Sequence, residues 1–301
     1  MRTRRLGRTG LEVSEIGMGG AWLLGRRGER PMEQGVATVR RALESGITYL
    51  DTAECYIGGR SEALFGEALE GYEGEYALAT KCGHRPAEGF DWTRDAVLSS
   101  LKESLRLLRR PGVDVFQLHT PAEPPMKAIF GPGGALEGLR EARESGLCRF
   151  LGITGRNLEF LTQCVESDAF DTMIVFQRFD LLEQSAWPLF QAAKAHDVGV
   201  ILGSPLRLGL FGSARGEVID RYGDEDRPQI EALETLLAGQ PGGITASAIR
   251  FALTPPEVGV VLSGAASPEE IEGVVSAAVE ALPQDVVDEV YRLGGGKVRV
   301  L

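Results

Sequence analysis

The sequence predicts an α/β fold, a (β/α)8 TIM barrel preceded by an N-terminal β-hairpin. Short apolar segments rich in β-branched residues alternate with amphipathic helical segments along the chain. Such alternation is typical of a parallel sheet, and eight strand–helix units are the number that closes a barrel. Several of the strands end abruptly in polar side chains, which is where an α/β barrel carries its active site.

Hydrophobic periodicity and the positions of glycine and proline define the predicted elements. Residues 4–13 are expected to form a hairpin with its turn around Thr9-Gly10. The eight strands are predicted at 16–20, 47–51, 75–80, 113–118, 149–153, 173–177, 198–202 and 258–262. The helices are predicted at 32–44, 61–70, 92–109, 134–145, 157–167, 184–196, 229–238, 245–253, 268–280 and 283–292.

No linker or shift in composition divides the chain, so residues 1–301 are predicted to form a single domain. Two connections, Thr120–Gly134 and Arg207–Asp226, exceed ordinary lengths. Both follow strands at the face where the active site is expected. We therefore expect them to shape or cover the site, and tolerated insertions are the alternative.

The charge of the chain excludes two classes of partner. The sequence has 32 basic and 43 acidic residues, a formal net charge of −11. Nucleic acids and anionic membrane surfaces both require clustered basic residues, so neither is an expected partner. No apolar run approaches the roughly 20 residues of a membrane span. The basic N-terminus is not followed by the apolar segment of a signal peptide.

The cysteines favour a reducing compartment. Cys55, Cys82, Cys148 and Cys164 lack the CxxC or Cys/His spacing of zinc sites, so no metal is predicted. We expect free thiols and a cytoplasmic location, since no secretory signature is apparent. A small-molecule substrate and a monomer or small homo-oligomer are expected.

Four ionisable side chains stand at successive strand ends, and together they predict an active site. Asp51 ends the second strand, Tyr56 follows it, Lys81 ends the third and His119 ends the fourth. A lysine that ends an apolar strand needs a carboxylate partner, and Asp51 is the natural one. A nearby ammonium is expected to lower the pKa of Tyr56 from about 10 towards the working range. Tyr56 is therefore predicted to be a general acid for a carbonyl group, with His119 orienting or polarising the substrate.

A Schiff-base aldolase on the same barrel, with Lys81 as nucleophile, is a competing interpretation. It requires a lowered lysine pKa, whereas Asp51 would raise the pKa of Lys81. It also leaves Tyr56 and His119 without a role. The reductive chemistry is the better explanation of the four residues.

Over almost its whole length the chain resembles the aldo-keto reductase family. The matching segments are Leu6–Ser14, Asp51–Tyr56, Ser61-Glu62 with Gly66, Thr80-Lys81, Leu118-His119, Gly152–Thr154, Gln177, Ser204–Leu206, and Gly264 with Ser267-Pro268. The resemblance implies a nicotinamide cofactor extended across the mouth of the barrel. It also implies hydride transfer between this cofactor and the carbonyl or alcohol carbon of a small aldehyde, ketone or aldose. Tyr56 would supply or remove the proton.

The resemblance assigns cofactor contacts to Thr154, Gln177, Ser204, Leu206, Gly264, Ser267 and Glu270. Two neighbouring positions depart from the family pattern. Gly155 stands where an asparagine holds the nicotinamide carboxamide, and Asn157 could replace it only if the loop bends. Gly203 stands where an aromatic ring stacks on the nicotinamide, so stacking is lost or supplied from elsewhere. Both changes resemble a branch of the family that oxidises sugars or other polyols.

The positions expected to contact the adenosine end favour NAD(H) over NADP(H). Gly264 and Glu270 stand where NADPH-preferring members have a lysine and an arginine. A carboxylate repels a 2′-phosphate and can accept a hydrogen bond from a ribose hydroxyl. We expect NAD(H) preference, or weak binding of both cofactors. The alternative is that Glu270 is an ordinary acidic residue of a helix first turn.

Aromatic residues are expected to line the substrate pocket, namely Trp22, His84, Phe90 and Trp92. Aromatic walls suit the faces of sugars and apolar carbonyl compounds equally well. A non-enzymatic nicotinamide-binding subunit, or a redox sensor, is the alternative function. The complete set of four strand-end residues argues against it, because a scaffold has no need to keep all four.

Overall fold

The computed structural model describes residues 1–25, 28–85 and 89–294. The strands in chain order are β1 Thr3–Arg5, β2 Glu12–Ser14, β3 Ile16–Gly19, β4 Tyr49–Asp51, β5 Ala77–Cys82, β6 His84–Arg85, β7 Gly89–Phe90, β8 Val113–His119, β9 Cys148–Gly155, β10 Thr172–Phe176, β11 Gly199–Gly203 and β12 Val258–Ser263. Eight of them form a closed barrel of parallel strands in the order β3, β4, β5, β8, β9, β10, β11, β12. The predicted (β/α)8 barrel is confirmed.

The helices surround the barrel. They are α1 Met32–Glu44, α2 Ser61–Ala68, α3 Arg94–Leu108, α4 Met126–Phe130, α5 Ala135–Glu144, α6 Leu158–Glu166, α7 Trp187–Ala195, α8 Arg215–Val218, α9 Arg227–Leu237, α10 Gly243–Ala252, α11 Pro268–Ala277 and α12 Gln284–Leu293. The short helices α4 and α8, which the sequence did not predict, lie within the two long connections. No described helix is both long and apolar enough to span a membrane.

The N-terminal hairpin closes the bottom of the barrel. Strands β1 and β2 pair antiparallel, with Thr3 opposite Ser14. The turn ends at Gly10, whose φ of 66° is left-handed and suits glycine. Leu6, within the turn, is fully buried, and a Cβ on Gly199 at the start of β11 would lie 2.8 Å from its Cγ. The hairpin thus covers the amino-terminal ends of the strands, opposite the expected site.

Alternate residues of the strands fill the barrel interior, because successive side chains of a strand point to opposite faces. The interior cluster includes Tyr49, Ala77, Ala79, Val115, Ile174, Ile201 and Val260. Asp51, Lys81 and His119 lie an even number of residues beyond members of this cluster. Their side chains therefore point inward at the carboxyl ends of β4, β5 and β8. The register of the barrel brings the four predicted strand-end residues to one face.

Candidate active site

A buried ion pair lies at the centre of the barrel mouth. Lys81 Nζ donates to Asp51 Oδ1 over 2.5 Å and to the backbone oxygen of Thr52 over 2.7 Å. Gln117 Nε2 donates to the second oxygen of Asp51 over 2.8 Å. Lys81 and Asp51 are each 1% exposed. Both carboxylate oxygens are therefore satisfied, and the position of the lysine ammonium is fixed.

The charge on Lys81 is retained. Burial lowers the pKa of Lys81, but attraction to Asp51 and Tyr56 outweighs burial, and the pKa is raised above its ordinary value. An amine nucleophile needs the opposite shift, because only the neutral amine attacks a carbonyl. This environment disfavours the aldolase chemistry.

Tyr56 lies beside this ammonium, with Lys81 Nζ 4.5 Å from the centre of its ring. It begins a short 3₁₀ turn, Tyr56–Gly59, in which Ile57 has a left-handed φ of 55°. Although part of the side chain is exposed, burial of the phenol is the largest influence and raises the pKa of Tyr56 to about 12. The charge of Lys81 lowers the pKa of Tyr56, as the sequence predicted, but burial raises this pKa by more. The predicted net lowering of the Tyr56 pKa is therefore wrong. Tyr56 is a protonated phenol at neutral pH.

His119 completes the group. Its ring meets that of Tyr56 edge to face, with 5.8 Å between ring centres, and the residue is 8% exposed. Burial, with smaller effects of Lys81 and His84, lowers the pKa of His119 well below its ordinary value. A neutral imidazole offers one N–H donor and one acceptor nitrogen. Tyr56 and His119 can therefore both donate hydrogen bonds to one substrate oxygen.

An aromatic wall stands beside His119. His84 stacks on Phe90 with 4.4 Å between ring centres, and Phe90 stacks on Trp92 at 5.4 Å. The ring of His84 lies 5.9 Å from that of His119. The wall is formed by the small antiparallel hairpin of β6 and β7 together with Trp92. The sequence predicted these side chains as pocket residues but not the hairpin that presents them.

Glu54 holds this wall in place, a role that the sequence analysis missed. Its Oε1 accepts a hydrogen bond from the backbone N–H of His84 over 3.0 Å, and its Oε2 accepts one from Ser100 Oγ over 2.6 Å. Arg85 lies 3.6 Å from the same carboxylate. Glu54 lies two residues before Tyr56, and this proximity in sequence was the available signal.

Two polar side chains at the ends of β10 and β11 are available to a ligand. Gln177 and Ser204 have left-handed φ values of 58° and 59°, which are costly for residues other than glycine. Both are partly exposed, and neither side chain makes a hydrogen bond to another described residue. Thr154 is instead buried at 1% exposure, and its Oγ1 accepts a hydrogen bond from the backbone N–H of Thr120 over 3.4 Å. Gln177 and Ser204 therefore fit a cofactor that binds across the strand ends, whereas Thr154, predicted as a cofactor contact, is buried.

Phe176 lies beside Gly203, the position at which the resemblance implies an aromatic ring stacked on the nicotinamide. It pairs with Gly203 in the register of β10 and β11. A Cβ on Gly203 would lie 3.1 Å from Phe176 Cβ. Phe176 also follows Ile174 of the barrel interior by two residues, so its ring points inward at the mouth, where it is partly exposed. The ring of Phe176, on strand β10, therefore borders the space that the missing side chain of Gly203 leaves on β11.

Asn157 does not replace the amide that is missing at Gly155. Asn157 caps helix α6, where its Oδ1 accepts a hydrogen bond from the backbone N–H of Phe160 over 3.0 Å. Its Nδ2 donates to Glu123 Oε2 over 2.8 Å. Both ends of the side chain are thus engaged by the loop and the helix.

The predicted adenosine contacts gather at the start of helix α11. Ser267 Oγ accepts a hydrogen bond from the backbone N–H of Glu270 over 3.3 Å, and Glu270 Oε2 accepts one from the N–H of Ala266 over 2.9 Å. This reciprocal cap gives Glu270 a structural role in addition to its charge. Arg30, which the sequence analysis missed, donates to the backbone oxygen of Ala266 over 2.6 Å. The guanidinium of Arg30 therefore lies near the acidic first turn of helix α11.

Gly264 and Leu206 lie along the same side of the mouth. Gly264 is exposed, and a Cβ there would lie 2.8 Å from Trp22 Cδ1. Trp22 therefore borders the predicted cofactor residue Gly264, whereas His84 and Trp92 belong to the wall beside His119. Leu206 is half-buried in the turn after β11.

Comparisons with known proteins identify the family and the fold. A model of the Aldo/keto reductase family matches residues 15–294. The chain is 30% identical over 297 residues to L-galactose dehydrogenase from Arabidopsis thaliana, covering 95% of this chain and 92% of that protein. It is 24% identical to D-threo-aldose 1-dehydrogenase from a Pseudomonas species, covering 91% and 92% of the two chains. The fold matches that of an aldo-keto reductase from Bacillus halodurans in its holo form, with a TM-score of 0.83, 24% identity and coverage of 99% and 98%.

Proposed function

This chain belongs to the aldo/keto reductase family, and on that premise we propose that it is an NAD(P)-dependent oxidoreductase with Tyr56 as its general acid and base. The substrate would be a small polar aldehyde, ketone or aldose, or the corresponding alcohol. The observation that carries the proposal is the contact of the Tyr56 ring with the Lys81–Asp51 ion pair beside His119. A proton donor, a fixed cation and a neutral imidazole converge there on one point of the mouth.

In the reducing direction, Tyr56 donates its phenolic proton to the carbonyl oxygen. The neutral His119 donates a second hydrogen bond to that oxygen and fixes its orientation. Lys81 stabilises the phenolate that remains on Tyr56, and Asp51 holds the ammonium in place. The cofactor, when bound, supplies or accepts the hydride. In the oxidising direction, the same groups remove the proton from the alcohol.

Gln177 and Ser204 would hold the nicotinamide end of the cofactor, with the buried Thr154 behind them, and Phe176 would supply the aromatic contact in place of Gly203. Support for this assignment comes from the two unpartnered polar side chains and from the inward position of Phe176. Gly264, Ser267, Glu270 and Leu206 would border the rest of the cofactor. We infer NAD(H) preference because two glutamates, Glu269 and Glu270, lie in the first turn of α11.

An aldose is the favoured substrate class. The similar proteins from Arabidopsis thaliana and Pseudomonas are named as dehydrogenases of L-galactose and of D-threo-aldoses. The stacked wall of His84, Phe90 and Trp92 offers the flat apolar surface on which sugar rings pack.

The test is to replace Tyr56 with Phe and to measure turnover and cofactor binding separately. Purified protein is assayed with NAD+ and a set of aldoses, and with NADH and small aldehydes. Tyr56→Phe should lower kcat by about 10²–10⁴-fold while cofactor affinity changes little. Tyr72→Phe, beyond the far end of α2, is the matched control and should behave as wild type.

Unchanged turnover in Tyr56→Phe would overturn the role of Tyr56. Cofactor binding by the wild-type protein with no turnover of any substrate would instead favour the non-enzymatic subunit. The missing amide at Gly155 is the observation that keeps this second function under consideration.

A further inference from the structure

Three side chains that are distant in sequence form a cluster of metal-binding type beside Tyr56. Cys55, His84 and His119 each offer a ligand atom, and these atoms lie within 4.8 Å of one another. Cys55 Sγ lies 3.4 Å from His119 Nδ1. The three residues come from the loop after β4, from β6 and from the end of β8. Two of the three histidines of the chain are in this cluster.

The donor set and its spacing suit zinc. A thiolate and imidazoles are ligand types of zinc, and three protein ligands leave its fourth position open. The same set of one cysteine and two histidines also binds copper in proteins. With Zn–S bonds of about 2.3 Å and Zn–N bonds of about 2.0 Å, tetrahedral geometry places the sulfur and the two nitrogens roughly 3.3–3.5 Å apart. The contact of Cys55 with His119 already has this spacing. The other two distances are at most 4.8 Å, so they need to shorten by up to about 1.5 Å, which side-chain rotations supply.

The surroundings of His84 support a ligand role. The Nδ1 atom of His84 is buried and has no hydrogen-bond partner among the described residues. Its backbone N–H is held by Glu54, which also binds Ser100 of helix α3. These two hydrogen bonds fix the backbone that carries His84. Cys55 is partly exposed, so an ion can reach the cluster from the mouth.

We propose that Cys55, His84 and His119 form a binding site for a divalent zinc-like metal ion, and that the bound ion inhibits turnover. On binding, the Cys55 thiol loses its proton to solvent, and the thiolate sulfur forms the bond to the metal. The ion occupies the space beside Tyr56 that the substrate oxygen needs. Metal binding and substrate binding therefore exclude one another.

The binding test uses Co²⁺ as a spectroscopic probe of the intact protein without cofactor or substrate. The wild type should bind one Co²⁺ and develop the near-ultraviolet charge-transfer band of a cobalt–thiolate bond, and Zn²⁺ should abolish this band. Cys55→Ser should lose the band, and His84→Asn should weaken metal affinity by about tenfold or more. His196→Asn and Cys164→Ala are matched controls outside the cluster and should retain both the band and the affinity.

A thiolate band that persists in Cys55→Ser, or binding of Co²⁺ with no such band in the wild type, would overturn the site. Inhibition is measured separately. Zn²⁺ should inhibit the wild type competitively with the carbonyl substrate, and Cys55→Ser should be at least about tenfold less sensitive relative to its own metal-free activity. Equal sensitivity of the two proteins would overturn the inhibitory role. The binding readout needs no turnover, so it remains decisive if the proposed function fails.

Discussion

Lys81 and Asp51 form an ion pair of 2.5 Å in which each side chain is 2% exposed or less. Two charges held this far from water are stable only as a pair, because removing one partner leaves the other buried and uncompensated. The pair therefore has a structural effect, and the proposed mechanism also gives it a catalytic one; mutation can separate the two.

Replacing Lys81 with Met should destabilise the fold by about 3–5 kcal/mol, since Asp51 then remains buried without its countercharge. Adding Asp51→Leu should recover much of this loss, because no unpaired charge remains. Activity should stay low in both variants, since neither stabilises the Tyr56 phenolate. Urea unfolding and steady-state assays measure the two effects. A double variant no more stable than Lys81→Met would contradict the pairing argument.

Glu62 should make stability depend on pH in a defined direction. The residue is 1% exposed, and burial, partly offset by a hydrogen bond from Thr80, raises its pKa to about 7. A carboxyl group whose pKa is raised on folding binds more protons when folded, so its contribution to stability is present below about pH 4.5 and is lost as the pH rises through about 7.

Replacing Glu62 with Gln should therefore stabilise the protein at pH 8 by up to about 3 kcal/mol, since a pKa shift of one unit corresponds to about 1.4 kcal/mol. The difference should fall towards zero at pH 4.5, while the amide oxygen still accepts the hydrogen bond from Thr80. Unfolding free energies of both proteins across this range test the sign. Glu67→Gln, on the exposed face of the same helix, should change stability by less than about 0.5 kcal/mol.

The barrel and the juxtaposition of Asp51, Lys81 and His119 were predictable because both follow from periodicity. Strand alternation decides which side chains point inward, and parallel strands bring their carboxyl ends to one edge. The pKa of Tyr56 was not predictable, because its value depends on how far burial outweighs the charge of Lys81. That balance is set by packing in three dimensions and not by spacing in the sequence.

Structural features formed by very short segments, or by residues far apart in the sequence, could not be predicted either. The hairpin of β6 and β7 has two residues in each strand, which is too short for a periodic signal. The cluster of Cys55, His84 and His119 has no local spacing motif because Cys55 follows β4, His84 lies on β6 and His119 ends β8. Arg30 contacts Ala266 from the connection after the neighbouring strand β3, and charge alone could not identify that contact.

Removing the ring of Phe176 should weaken nicotinamide binding. An aromatic contact contributes on the order of 1 kcal/mol, so Phe176→Ala should raise the Kd for the reduced cofactor by roughly fivefold to tenfold. Phe90→Ala, at the exposed edge of the wall, is the matched control and should raise KM for the substrate with little effect on cofactor Kd. Fluorescence titration and steady-state kinetics distinguish the two. An unchanged cofactor Kd in Phe176→Ala would mean that no ring from β10 supports the nicotinamide.

The choice between NADH and NADPH should shift when the charge at Glu270 is removed without disturbing its cap. Glu270→Gln retains a side-chain oxygen that can accept the hydrogen bond from Ala266 N–H. Loss of a carboxylate near a 2′-phosphate relieves repulsion on the order of 1 kcal/mol in moderate salt, so NADPH affinity relative to NADH should rise about fivefold. Arg30→Ala should lower the affinity for NADPH relative to NADH, since the guanidinium that donates to the backbone oxygen of Ala266 is then lost. Titrations with both cofactors measure the ratio, and Glu67→Gln, on helix α2, serves as the charge control. If Glu270→Gln leaves the ratio unchanged, the 2′-position of the cofactor lies away from the first turn of α11.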